Sequence, residues 1–193
     1  MRHPTRNARV IRALLALVGM LPLIACKDTF PVPLDPEPKV KLDPRLVGVW
    51  ACVSSEPRSS KDTKPRNSKT EPFSVVEFQT ADLQYLIRTV GLDRGGEGEK
   101  FWDSYPSLLG VKTILNTWPK SDGPRKKGSK VVFFAQKWLS KDRFDLDLVT
   151  TDPLKGLPVS PAAALRKTLE SRIADQSVFK PWMACTRAKA VKS

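Results

Sequence analysis

The sequence predicts a mainly β, antiparallel domain with one helix ahead of its last strand. It would close as a barrel of about 7–8 strands or, in the alternative, form a β-sandwich with the helix at one end. Three observations carry this. Short β-rich runs recur in pairs separated by turn residues. Phe144, Leu146 and Leu148 alternate with Asp145, Asp147 and Val149, the period of two of a strand. Only one stretch, with Leu165, Leu169 and Ile173 four residues apart, has a helical period.

The strands follow in order. Leu46-Val-Gly-Val-Trp-Ala-Cys-Val53 is apolar on both faces, as for a strand covered on two sides. Residues 54–72 are polar and proline-containing and read as a long exposed loop. Phe73 to Gln79 and Gln84 to Val90 form a hairpin about Thr80-Ala81-Asp82, and residues 93–99 read as a glycine-rich turn. Leu108 to Trp118 reads as one strand, closed by Pro119 and the basic loop PKSDGPRKKGSK. Val131 to Leu139 and Phe144 to Thr150 form a second hairpin. Ser160 suits a helix N-cap and Pro161 the first helical position, and Phe179 to Arg187 returns as a final strand.

Ahead of this domain lies a leader. Arg2, Arg6, Arg9 and Arg12 precede an apolar run, Ala13 to Ile24, that is too short for a bilayer needing roughly 20 residues. It ends in Leu23-Ile24-Ala25-Cys26, which resembles the bacterial lipobox. The resemblance implies cleavage after residue 25 and lipidation of Cys26. With Lys27 rather than Asp next in line, it also implies an outer-membrane address facing the periplasm of a Gram-negative bacterium. Two or more acyl chains give stable membrane residence. The expected division is a leader over 1–25, a lipidated Cys26 with a proline-rich tether over 26–44, and one domain over 45–193. The tether has five prolines in residues 27–44 and little to bury.

Cleavage would leave 168 residues with 29 basic and 20 acidic side chains, a charge of +9 that favours anionic surfaces. An exported chain makes nucleic acid a poor partner. The only histidine, His3, belongs to the leader, so the mature chain holds no imidazole base or His metal ligand. With Cys26 acylated, Cys52 and Cys185 remain in an oxidising compartment. A structural disulfide is expected, with two separate buried thiols as the alternative.

Gly48-Val49-Trp50, followed by antiparallel hairpins, a late helix and a closing strand, resembles the lipocalin-like family of small β-barrels, and uncharacterised bacterial lipoproteins that carry such a domain. The resemblance covers about residues 45–190 and implies a barrel with a ligand in its interior. If Cys52 and Cys185 face each other on antiparallel strands, Trp50 falls opposite Arg187. Members of the family pack a late basic side chain across this tryptophan. Arg187 could do so here as a cation–π pair, or could belong to a solvated tail with Lys189 and Lys192.

No catalytic constellation emerges. Asp145 and Asp147 read as the wet side of a strand, Glu97 and Glu99 as turn residues, and no serine sits in a nucleophile elbow. No enzyme activity, metal site or cofactor is expected. The candidate ligand wall comprises Trp50, Trp118, Phe133, Phe144, Leu146 and Leu148. A basic rim comprises Arg58, Lys61, Lys64, Arg66 and Lys69 with Lys120, Arg125, Lys126, Lys127 and Lys130, suited to an anionic lipid or an acidic envelope protein. The two expected functions are therefore a lipid-anchored binder of a small apolar or amphiphilic ligand and an interaction module working through its basic loops.

Overall fold

The computed structural model describes residues 28–55, 74–81, 83–93, 96–120 and 130–188. Eight antiparallel strands close on themselves in sequence order: β1 (Gly48–Ser54), β2 (Ser74–Ala81), β3 (Gln84–Asp93), β4 (Gly96–Leu109), β5 (Lys112–Pro119), β6 (Val132–Ser140), β7 (Arg143–Val149) and β8 (Phe179–Arg187). One α-helix, α1 (Ala162–Glu170), lies between β7 and β8. The architecture is the barrel rather than the sandwich, because β8 pairs with β1 from Trp50↔Arg187 to Ser54↔Met183.

Alternation gives each strand an inner and an outer face. The inner faces meet in one core that includes Trp50, Cys52, Val76, Phe78, Tyr85, Ile87, Leu115, Phe144, Leu146, Met183 and Cys185. A second core lies outside the wall made by β4, β5 and β6. There Tyr105, Leu109, Ile114, Trp118, Phe133 and Ala135 pack beneath Phe30, Leu34, Leu154, Leu165 and Leu169. Most of β5 and the first half of β6 are thus buried on both faces.

The outer core overturns the reading of residues 28–44 as a tether with little to bury. Phe30 is 0 % and Leu34 1 % exposed. Phe30 exchanges backbone hydrogen bonds with Val131 at 2.8 and 2.9 Å and stacks on Phe133 at 4.5 Å. The Leu34 amide donates to Asn116 Oδ1 at 2.8 Å, and the Asn116 amide donates to Tyr105 O and Ser107 Oγ. A fully buried Asn thus binds the strap to two strands, a satisfied network in a site where a lost partner is costly. Proline made the segment extended; its interspersed apolar residues made it part of the wall.

Five smaller expectations also change. β1 is covered on one side only, with Trp50 and Cys52 inside and Val49 41 % exposed. The turn over 93–99 and the single strand over 108–118 become the ends of β3 and β4 and a tight turn into β5. Gly110 (φ +56°) makes that turn, and a Cβ there would lie 2.9 Å from Ile173 Cδ1. Pro161, not Ser160, occupies the N-cap position of α1 and makes no side-chain cap hydrogen bond. The helix ends at Glu170, so Ile173 packs on the outer core from beyond it.

The barrel has two unlike ends. At the turn end, β2–β3, β4–β5 and β6–β7 join by residues 82–83, 110–111 and 141–142. At the loop end, β1–β2, β5–β6 and β7–β8 are joined by residues 55–73, 120–131 and 150–178, and β3–β4 by residues 94–95. The strap runs between them. Asp28 Oδ1 accepts from the Thr151 amide at 2.8 Å at the loop end. Asp43 meets Tyr85 and Trp138 at the turn end, where Trp138 Nε1 donates to its Oδ2 at 3.0 Å and the Tyr85 hydroxyl donates to its carbonyl at 3.1 Å.

Burial pushes the Tyr85 phenol from the ordinary value near 10 up to about 12. The folded state therefore favours the neutral phenol. This contribution to stability is complete below pH 10 and is lost as pH rises from about 10 to 12. An ultraviolet tyrosinate titration is expected to show a step near 12 that Tyr85→Phe removes; a Tyr85 step at 10 would refute the burial.

Candidate functional site: the barrel interior

The inner face of the barrel fills toward the turn end. Trp50 meets Phe144 at 4.7 Å and Trp138 at 5.9 Å, Phe78 meets Tyr85 at 5.9 Å, and Trp138 meets Phe144 at 5.4 Å, all in tilted or edge-on geometry. Trp50 Nε1 donates to Leu46 O at 2.8 Å, and Leu46 itself is buried. Arg187 lies over the Trp50 ring, 4.2 Å from guanidinium carbon to centroid. Its Nη2 donates to Arg45 O at 2.6 Å, and its Nε lies 3.3 Å from Asp142 Oδ1. Gly48 (φ +124°) completes the cap, since a Cβ there would lie 3.1 Å from Arg187 Nη1. That contact and the dihedral together account for glycine at the head of Gly-x-Trp. Below the cap, Cys52 and Cys185 form a disulfide across the β1–β8 seam.

A second cation sits beside the first. The Arg45 guanidinium lies 4.5 Å over Trp138 and pairs with Asp43 at 2.6 Å. That hydrogen-bonded pairing holds the Asp43 carboxyl below the usual carboxylate range.

Toward the loop end the interior changes. Phe134 and Trp182 stack at 4.4 Å and 17° and remain half-buried, as do Trp102 and Leu148. Trp182 stands where the β7–β8 pairing shifts, between Leu146↔Met183 and Asp147↔Pro181. Midway along β6, on the same inward face as Phe134 and Trp138, stands Gln136. Its Nε2 is buried and has no hydrogen-bond partner. The described interior therefore has an aromatic plug, one unpartnered amide donor above it, and an aromatic mouth.

The expected ligand wall divides accordingly. Trp50, Phe144 and Leu146 belong to the inner core, with Trp50 and Phe144 in the plug, and Leu148 lies inside near the mouth. Trp118 and Phe133 do not face the interior. They pair with Asp103 and Asn116 on the outer face and are buried under the strap. Alternation could not assign them, because Phe133 and Phe134 are adjacent aromatics on a strand covered on both sides. The same ambiguity hid Phe134 and Gln136, and the irregularity at Trp182 defeated a period of two. Of the basic rim, Lys120 and Lys130 are exposed at the loop end; Arg58, Lys61, Lys64, Arg66, Lys69, Arg125, Lys126 and Lys127 lie outside the described residues, as does Cys26 with its leader.

A separate hollow of about 260 Å³ opens outside the barrel at the loop end, between Thr29, Phe30 and Pro31 of the strap and Leu154, Leu157 and Val159. Among the described residues there is no cluster of three or more His, Cys, Asp or Glu side chains suited to a metal ion. No helix among them is long and apolar enough to cross a membrane. No family model, curated protein or solved structure matches the chain.

Proposed function

We propose that this is a lipid-anchored protein of a Gram-negative envelope, attached to the outer membrane through Cys26, whose lipocalin-like barrel binds a small apolar ligand carrying one hydrogen-bond acceptor. Gln136 carries the reading. A buried amide donor without a partner costs on the order of 1–3 kcal/mol, and such a group calls for a water or ligand acceptor. Here it stands between an aromatic floor and a half-buried aromatic mouth, the combination of apolar wall and sparse polar group typical of small-molecule sites. The bound molecule would place its acceptor on Gln136 Nε2 and its apolar body against Phe134, Leu148 and Trp182.

Native mass spectrometry of the gently purified mature chain tests this. A defined extra mass that leaves on denaturation is expected. Gln136→Leu should weaken retention about tenfold, the loss of one hydrogen bond to a neutral acceptor, without lowering stability. An apo mass, or equal retention by the variant, would defeat the ligand reading. The second reading, an interaction module without a ligand, is favoured by the ring packing of Trp50, Phe78, Tyr85 and Phe144, which already fills the turn end. It predicts the apo mass and a salt-sensitive protein pull-down.

A further inference from the structure

The strap and the loop end bear on how the domain meets its membrane. Asp28 is held at the loop end by the Thr151 amide and hydroxyl at 2.8 and 3.1 Å. Cys26 is two residues earlier in the chain, so its Cα lies within about 7 Å of that of Asp28 even when the backbone is fully extended. That distance is less than a Debye length at physiological ionic strength, about 8 Å. No spacer remains to hold the barrel off the surface.

Charge is distributed to match. Lys120, Lys130 and Lys180 are exposed at the loop end. Three of the nearby acids are engaged: Asp28 with Thr151, Asp152 with Lys155 at 3.2 Å, and Glu99 with Arg88; by sequence the β3–β4 turn adds Asp93 and Glu97 against Arg94. By sequence, the β1–β2 connection adds five basic against three acidic residues, and residues 120–130 hold five against one. The three turns at the opposite end hold one lysine and two aspartates. That end presents apolar tips instead, with Val111 99 %, Leu83 60 % and Leu139 47 % exposed.

We infer that the loop end docks flat on an anionic lipid surface, with Lys120, Lys130 and Lys180 against the headgroups and the mouth at Phe134 and Trp182 turned toward the leaflet. The inference rests on the proposed acylation of Cys26. It makes the bilayer the source of the ligand, an amphiphile that moves between leaflet and barrel.

The test uses the full chain processed from its own leader. Its mature mass reports acylation. With Cys26 acylated and Cys52 bonded to Cys185, one introduced cysteine is the single reactive thiol. A fluorophore is placed at Lys155→Cys, near the strap at the loop end, or at Lys141→Cys in the β6–β7 turn. Each protein is reconstituted in phosphatidylcholine vesicles, with or without phosphatidylglycerol, containing a headgroup quencher. The expected result is an acylated mass and strong quenching at position 155 but not at 141. Quenching should depend on phosphatidylglycerol and fade in high salt. In the docked state, Lys120→Gln and Lys130→Gln should each lower the docking equilibrium roughly fivefold. Equal quenching at both positions would mean a freely tumbling domain and overturn the docking while leaving the anchor intact. Stronger quenching at 141 would mean that the apolar tips insert, with the same consequence. An unacylated mass would remove the anchor itself, and this inference with it.

Discussion

Phe30→Ala is expected to destabilise the domain by about 3–5 kcal/mol, the range for deleting a fully buried Phe side chain. The residue precedes the first strand by eighteen positions in a proline-rich segment, where substitution of a true linker residue would change stability by less than about 0.5 kcal/mol. Here its ring stacks on Phe133 and its backbone continues the sheet at Val131. Asn116→Ala should act on the same structure by a different route. It leaves the Leu34 amide, the Tyr105 carbonyl and the Ser107 hydroxyl without the partner that now satisfies all three. The two substitutions should be non-additive, since loss of either loosens the strap that the other holds. Urea denaturation of the chain in a Cys26→Ser background measures both. A midpoint unchanged by Phe30→Ala would return residues 28–44 to the status of a tether and remove the premise that the barrel sits close to its anchor.

The barrel was legible where one face is wet and the other dry. In β7, Asp145 and Asp147 point out while Phe144 and Leu146 point in, and the period of two reads directly from the chain. β8 was legible from its bounds, Phe179 and Arg187, and the disulfide from the exclusion of other fates for two cysteines. β4 was not legible. It opens with glycines alternating with glutamates and carries Pro106 in its interior, all poor strand residues, and it forms because β3 and β5 pair with it along its length. Tertiary pairing overrode local preference there. The strap was missed for a related reason. Proline spacing reports extension, but not whether Phe30 and Leu34 find a surface to cover. That surface exists only once β4, β5 and β6 have assembled. The candidate site suffered most from strands covered on both sides, because the unbroken apolar run Val132-Phe133-Phe134-Ala135 at the head of β6 removes the contrast from which facing is inferred. An unpartnered Gln136 Nε2 is a fact of three-dimensional packing and has no signature in the chain.

Replacing both cysteines, Cys52→Ala with Cys185→Ala, is expected to lower stability by about 3–5 kcal/mol, near the upper end for a disulfide because the bridge joins residues 133 apart. For a domain of this size that corresponds to a fall in melting temperature of roughly 10 °C. The bridge crosses the seam where the first and last strands meet, so it closes the longest loop in the fold and restricts the unfolded chain most. In the folded state the seam keeps its five residue pairs and the Arg187–Trp50 contact whether or not the sulfurs are joined. The reduced protein should therefore retain a closed barrel at room temperature, with near-native aromatic circular dichroism, and differ chiefly in its denaturation midpoint. Arg187→Ala in the reduced background then becomes the sharper probe. The guanidinium covers Trp50 and bonds the carbonyls of Arg45 and Val47, so it joins the last strand to the chain entering β1 without a covalent link. With the bridge present, its removal costs the cation–π contact and these hydrogen bonds, about 1–3 kcal/mol. With the bridge absent, the same change should also free the end of β8 and cost more than the two single effects combined. Strict additivity would show that disulfide and cation secure the seam independently. Identical midpoints for oxidised and reduced protein would show that the eight-stranded closure needs no covalent seam at all.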